Sequence, residues 1–135
     1  MFNLRLWVRQ KLEAAGYVVF NVKTAGLYGQ DGIFTFNNSH FARDPSFTAA
    51  YRRGVQASSG IDPKIEWRVH VALWAARCAI EVPGDFVECG VNAGFMSSAI
   101  MHYLGWHGIE KVFYLIDTFR GPILSQYSEE EVQRG

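Results

Sequence analysis

The stretch Gly84-Asp85-Phe86-Val87-Glu88-Cys89-Gly90-Val91-Asn92-Ala93-Gly94 decides the fold. It reads as a buried strand over 85–89 that ends on an acid, a turn held by two glycines, and the start of a helix over 94–104. Open α/β sheets build ligand pockets this way. The ligand sits beyond the carboxyl end of a strand, where glycine lets the backbone come close. Downstream, 111–117 (Lys-Val-Phe-Tyr-Leu-Ile-Asp) is a second near-continuous apolar run that ends on an acid. Strand, helix and strand in that order predict one right-handed βαβ unit with parallel strands.

Upstream, two Asp-Pro pairs each carry a helix-start signal, Asp as cap and Pro at the first helical position. Asp44-Pro45 predicts a helix to about Gln56, with Phe47, Ala50, Tyr51 and Val55 on one face. Asp62-Pro63 predicts a longer helix to about Ile80, apolar on most sides and so largely buried. Glu66 and His70 on it read as a side-chain pair at the helix edge. Residues 2–15 predict a short helix, with Leu4, Trp7, Val8 and Leu12 at helical spacing and Gly16 as its stop. The β-branched run 17–22 predicts a strand, Gly29 to Gly32 a turn, and 33–36 the second strand of a hairpin. Ser128-Glu129-Glu130-Glu131 is a further helix start. The expected organisation is a helical N-terminal cap region over 1–60 and the first part of a sheet domain over 61–135.

Composition excludes several classes. The 135 residues hold 13 basic and 13 acidic side chains, so the basic footprint of a nucleic-acid binder is absent. No apolar run is long enough for a membrane helix, and no signal peptide is read at the N-terminus. Two cysteines, Cys78 and Cys89, read as buried reduced thiols and fit a cytoplasmic location.

The chemistry is expected at the glycine turn. Glu88-Cys89-Gly90-Val91-Asn92-Ala93-Gly94 spells acid-x-Gly-x-x-x-Gly, whereas a dinucleotide fingerprint needs Gly-x-Gly-x-x-Gly. Asn92 stands where the middle glycine would let the backbone approach a pyrophosphate. That argues against NAD and FAD but not against a nucleoside cofactor without pyrophosphate, of which S-adenosylmethionine is the common one. Its amino group and sulfonium are cationic, and Glu88 is placed to face them. Asp117, at the next strand end, can accept both ribose hydroxyls. Asp85 reads as a strand-start residue. His40, His70, His102 and His107 show no metal-ligand spacing.

These motifs resemble a known family. Asp44-Pro45-Ser46-Phe47 with Ala50-Tyr51, Glu66-Trp67-Arg68, Gly84 to Val91, and Tyr114-Leu115-Ile116-Asp117-Thr118-Phe119-Arg120-Gly121 look like the macrocin O-methyltransferase-like family, over about residues 41–132. The resemblance implies an α/β fold: the start of a Rossmann-like class I methyltransferase sheet, incomplete here. It implies an S-adenosylmethionine-dependent O-methyltransferase acting on a hydroxyl of a sugar or related small molecule. By this resemblance Glu88, Gly90 and Gly94 would line the methionine end of the cofactor and Asp117 would hold the ribose, with Val91, Asn92 and Thr118 also among the cofactor-binding residues. A magnesium ion (Mg2+) is expected for the complete enzyme. Its ligands and the catalytic base are expected in a second half of the domain, so no catalytic residue is assigned. On this reading the chain is truncated, poorly active alone, and self-associates or meets a second chain through its open sheet. The alternatives are a non-catalytic interaction protein and an NAD-binding oxidoreductase fragment.

Overall fold

The computed structural model describes residues 4–19, 27–121 and 128. The protein is mixed α/β, with four α-helices and two two-stranded sheets among the described residues. It divides into two compact units, residues 1–39 and 40–135.

In the first unit, helix α1 spans Leu4–Ala14. Gly16, at φ 87°, ends it in the left-handed region that glycine enters freely. Strands β1 (Tyr28–Gln30) and β2 (Ile33–Thr35) pair antiparallel. Asp31 and Gly32, at φ 54° and 70°, form the two-residue turn between them. Both positions need positive φ, which Asp-Gly supplies, and the turn's twist then matches the strands. This corrects the expected hairpin: its first strand is 28–30. Residues 17–19 form no strand, and 20–22 lie outside the described residues. A β-branched run makes a strand only when a partner is held beside it, and the Asp-Gly turn gives that partner to 28–30.

The second unit runs α2 (Pro45–Ala57), α3 (Glu66–Ala79), β3 (Phe86–Cys89), α4 (Phe95–Leu104) and β4 (Phe113–Ile116), with 3-10 turns at His40–Arg43 and Trp106–Gly108. Asp44 caps α2 as its sequence predicts, with Oδ1 accepting from Phe47 N at 2.9 Å and Pro45 in the first turn. The second Asp-Pro pair does not start a helix. Asp62 Oδ1 accepts instead from Lys64 N at 2.9 Å and from the Tyr51 hydroxyl at 2.6 Å. Tyr51 in turn accepts from Ile65 N at 3.1 Å, so α3 begins at Glu66. Desolvation and the bond to Asp62 push the Tyr51 phenol well above its ordinary value, which fits a structural donor.

The core lies between α2, α3 and α4: Phe47, Ala50, Tyr51, Val69, Leu73, Ala76, Phe95, Ala99 and Ile100. Each fully buried large apolar side chain there contributes about 1.5–3 kcal/mol. α2 and α4 touch closely because of Gly54. A Cβ there would lie 2.8 Å from the carbonyl oxygen and the ring of Phe95. Only one side of α3 joins this core. Val69, Leu73 and Ala76 are buried, while Val71, Trp74 and Cys78 are exposed. The expectation of a largely buried helix is thus overturned: nothing among the described residues covers its second apolar face. Cys89 is exposed too, so both cysteines are free thiols on the surface and not buried ones.

β3 and β4 pair in parallel, in the register Phe86–Phe113, Val87–Tyr114, Glu88–Leu115 and Cys89–Ile116. With α4 between them they form the expected βαβ unit. Phe86 and Phe113 pack with Trp106 at centroid distances of 5.3–5.6 Å. The alternate residues Val87, Cys89, Tyr114 and Ile116 are exposed, while Phe86, Glu88 and Phe113 on the other face are half-buried and Leu115 there is exposed. Lys111 Nζ fastens the amino ends of the strands by donating to Val82 O (2.6 Å) and Gly84 O (2.7 Å). Asp85 accepts from Val112 N at 2.9 Å, the strand-start role read from sequence.

Candidate functional site

The carboxyl ends of the parallel strands carry the candidate site. Beyond Cys89 the chain enters the left-handed region at every second residue: Gly90 (φ 79°), Asn92 (φ 50°) and Gly94 (φ 78°). Glycine takes that conformation without cost, and asparagine tolerates it better than most side-chain residues. Gly94 then begins α4 without any side-chain cap of its own. The loop is fixed at several points. Gly90 N donates to Ile116 O at 2.9 Å, Gly94 N to Val91 O at 2.8 Å, and Asn92 N to Asp117 Oδ2 at 2.7 Å. The Asn92–Asp117 bond joins the two sequence motifs directly.

Asp117 sits among donors. Besides Asn92 N, its carboxylate accepts from Phe119 N at 2.8 Å. The Thr118 hydroxyl lies 3.4 Å from Oδ1 and 3.2 Å from Gly121 O. The backbone N–H groups, that of Asn92 first, hold its pKa below the ordinary carboxylate value, because they bond only the ionised form well.

Glu88 is held differently. Its carboxylate lies beside Ser97, a buried residue at the third position of α4. The Ser97 hydroxyl itself donates to Gly94 O at 3.3 Å. Glu88 Oε2 is covered from solvent and finds no hydrogen-bond partner among the described residues. Burial pushes the Glu88 pKa up, and the neighbouring Ser97 offsets part of that. A buried acceptor without a donor is costly, so Oε2 is where a proton or a cationic donor would be stabilised.

The structure brings Asn92 to Asp117 and Glu88 to the first turn of α4. Thr118 turns toward Gly121. Val91 sends its side chain into the interior, at 5% exposure, so only its backbone is left for a ligand. Around Gly90 a Cβ would meet nothing within 4 Å, which leaves open space beside the loop. Ser97 was not singled out in the sequence. The available signal was a polar pair, Ser97-Ser98, in the first turns of an otherwise apolar helix. The expected edge pair at His70 is replaced by a ring contact: His70 stacks on Phe41 at 4.0 Å. His40 and His70 line a cleft of about 340 Å³ with Asp44 and Tyr103, where the last turn of α4 meets the start of α2. No group of three or more His, Cys, Asp or Glu among the described residues converges as a metal site. No helix among them is long and apolar enough to cross a membrane. Comparison with protein-family models, with curated proteins and with solved structures returns no match.

Proposed function

We propose that this chain is the cofactor-binding part of an S-adenosylmethionine-dependent O-methyltransferase, built on the start of a Rossmann-like sheet. One observation carries the reading. The β3–α4–β4 unit gathers two strand-end carboxylates, a loop of alternating left-handed residues and a helix N-terminus at one end of a parallel pair, linked by the 2.7 Å Asn92–Asp117 bond. Ligands of open α/β sheets bind at that end.

The residues present fit the cofactor. Glu88 Oε2 is an acceptor lacking a donor, and a cationic amine is a donor of the right charge. Gly90 leaves room for a ligand beside the loop. Glu88, Gly90, Asn92, Gly94 and the Val91 backbone would hold the methionine end, and Asp117 with Thr118 the ribose. S-adenosylmethionine supplies an electrophilic methyl group on its sulfonium. These residues bind and orient it, and their part in rate enhancement is positional. The hydroxyl substrate, its proton acceptor and any magnesium ligand are not assigned to residues described here.

The test is calorimetry with S-adenosylhomocysteine and with NAD. Binding of the former is expected, weakened about ten- to a hundredfold by Asp117→Ala, as for loss of a charged hydrogen-bonding group. Binding of NAD alone would overturn the reading, and an unchanged affinity in Asp117→Ala would remove Asp117 from the site.

A further inference from the structure

We propose that helix α1 is an in-plane anchor for an anionic lipid surface, a role independent of the cofactor site. At about 100° per residue, Trp7, Leu4, Val8 and Leu12 fall within an arc of about 140°. They form one apolar stripe, with Arg5 and Arg9 along its Leu12 edge and Gln10 and Glu13 on the far side. Leu6 stands apart, among the polar residues. The stripe is open to solvent. Leu4 is 60% exposed, Trp7 46%, Val8 41% and Leu12 39%, and no residue of α1 is buried. An 11-residue helix is marginal in water, and helices in proteins owe most of their stability to a covered apolar face. α1 has such a face, and nothing among the described residues buries it.

Two features choose what covers it. The first is charge. The whole chain balances 13 basic against 13 acidic side chains, but α1 carries Arg5, Arg9 and Lys11 against the single acid Glu13. Glu13 pairs with Arg9 at 2.7 Å, so Arg5 and Lys11 supply the excess positive charge. That excess complements anionic headgroups. The second feature is the place of Lys11. By the same helical spacing it falls inside the stripe, between Trp7 and Leu4. A dry protein groove that took the stripe would also have to bury an ammonium ion, which is costly. At a bilayer the four-carbon stem lies along the apolar residues while the ammonium reaches the phosphates. Tryptophan suits the same boundary, with its ring in the apolar layer and its N–H in the wet one. In this pose α1 lies parallel to the membrane plane. The stripe enters the acyl boundary, and Arg5 and Arg9 stay at headgroup level.

The test co-sediments the whole 135-residue chain with vesicles of phosphatidylcholine alone and of an equimolar mixture of phosphatidylcholine and phosphatidylserine. Binding to the anionic vesicles is expected, about tenfold or more tighter than to the neutral ones, because each basic residue near the surface adds to it. It should weaken as salt is raised. Arg5→Gln combined with Lys11→Gln keeps good helix formers in place and should lower affinity for the anionic vesicles about tenfold. Leu4→Ser combined with Leu12→Ser should lower it about tenfold or more, with circular dichroism confirming that the chain is folded. Val71→Ser combined with Trp74→Ser, on the exposed side of α3, should leave it unchanged. No binding to either vesicle, equal binding to both, or an affinity unmoved by the paired glutamines would overturn the proposal. So would loss of binding in the α3 variant with the α1 variants unaffected, which would move the contact to α3.

Discussion

The ends of β3 and β4 carry the same chemical group in opposite circumstances. Glu88 lies beside Ser97 at the first turn of α4, with one oxygen covered and unmatched. Asp117 stands at the next strand end, ringed by backbone N–H groups and open to solvent. Burial raises the pKa of the first, and hydrogen bonding lowers that of the second. The difference is one of job. Glu88 is built into the scaffold and joins strand to helix, whereas Asp117 holds the loop from outside, where a ligand can reach it. An acid at the end of a parallel strand is thus not one kind of residue.

The largest expected effect comes from removing the buried member. Glu88→Ala removes a half-buried strand side chain that packs beside the first turn of α4. It should destabilise the protein by about 1–3 kcal/mol, read as a lower urea midpoint. Asp117→Ala should leave that midpoint much nearer the native one, because its effect falls on the loop and the ligand. Equal losses for the two variants would erase the distinction.

Asn92→Val probes the hinge between the two ends. A β-branched residue at φ 50° is strained where asparagine is tolerated, and about 1 kcal/mol of stability should be lost. The Asn92–Asp117 bond uses a backbone N–H and survives the change in principle. Asn92→Gly should therefore be neutral or slightly stabilising, and a loss as large as that of valine would show that the asparagine side chain itself matters.

The smallest effect is the most diagnostic, because the two acids should give stability slopes of opposite sign. Glu88 has a folded pKa above its ordinary 4.5, so between the two values the folded state holds more proton than the unfolded one. Its ionisation then destabilises the fold as pH rises above about 4.5. Asp117 is shifted below 3.8, so its contribution is present above that value and is lost as pH falls through the folded pKa. Urea melts of the native chain against Glu88→Gln at pH 4–7, and against Asp117→Asn at pH 2–5, measure each slope by difference. Slopes of the same sign would contradict the assignment.

Much of this arrangement is legible in the residues. The apolar runs that end in Glu88-Cys89 and Ile116-Asp117, with glycines between, place a parallel pair and its loop. Asp44-Pro45 marks α2 to within a residue. What misleads is that one signal serves different local chemistry. Asp62-Pro63 looks like a second helix start, but the Tyr51 hydroxyl and Lys64 compete for the carboxylate, and the helix waits until Glu66. The β-branched run over 17–22 carries the stronger strand propensity, yet the Asp31-Gly32 turn decides where the hairpin lies. The covered Glu88 oxygen is not legible in the sequence, since the first turn of α4 is brought beside it only when α4 folds back along β3. The bare faces of α3 and the sheet were unreadable for a related reason: apolar residues tell that a surface is to be covered and not by what.

Gly54 extends these conclusions to a residue far from the loop in sequence. Any side chain there would collide at 2.8 Å with the backbone oxygen of Phe95, the first residue of α4, as well as with its ring. A flexible tip could yield, but a carbonyl in a helix cannot move without shifting the turn that Glu88 and Gly94 hold. In a mutational scan, substitutions at Gly54 are expected to disturb the start of α4 as changes in the loop itself would. Its counterpart in a homologue could not be taken from a match to the loop alone. The genetic footprint of the site is wider than its surface, and its far edge is an absent methyl group on α2.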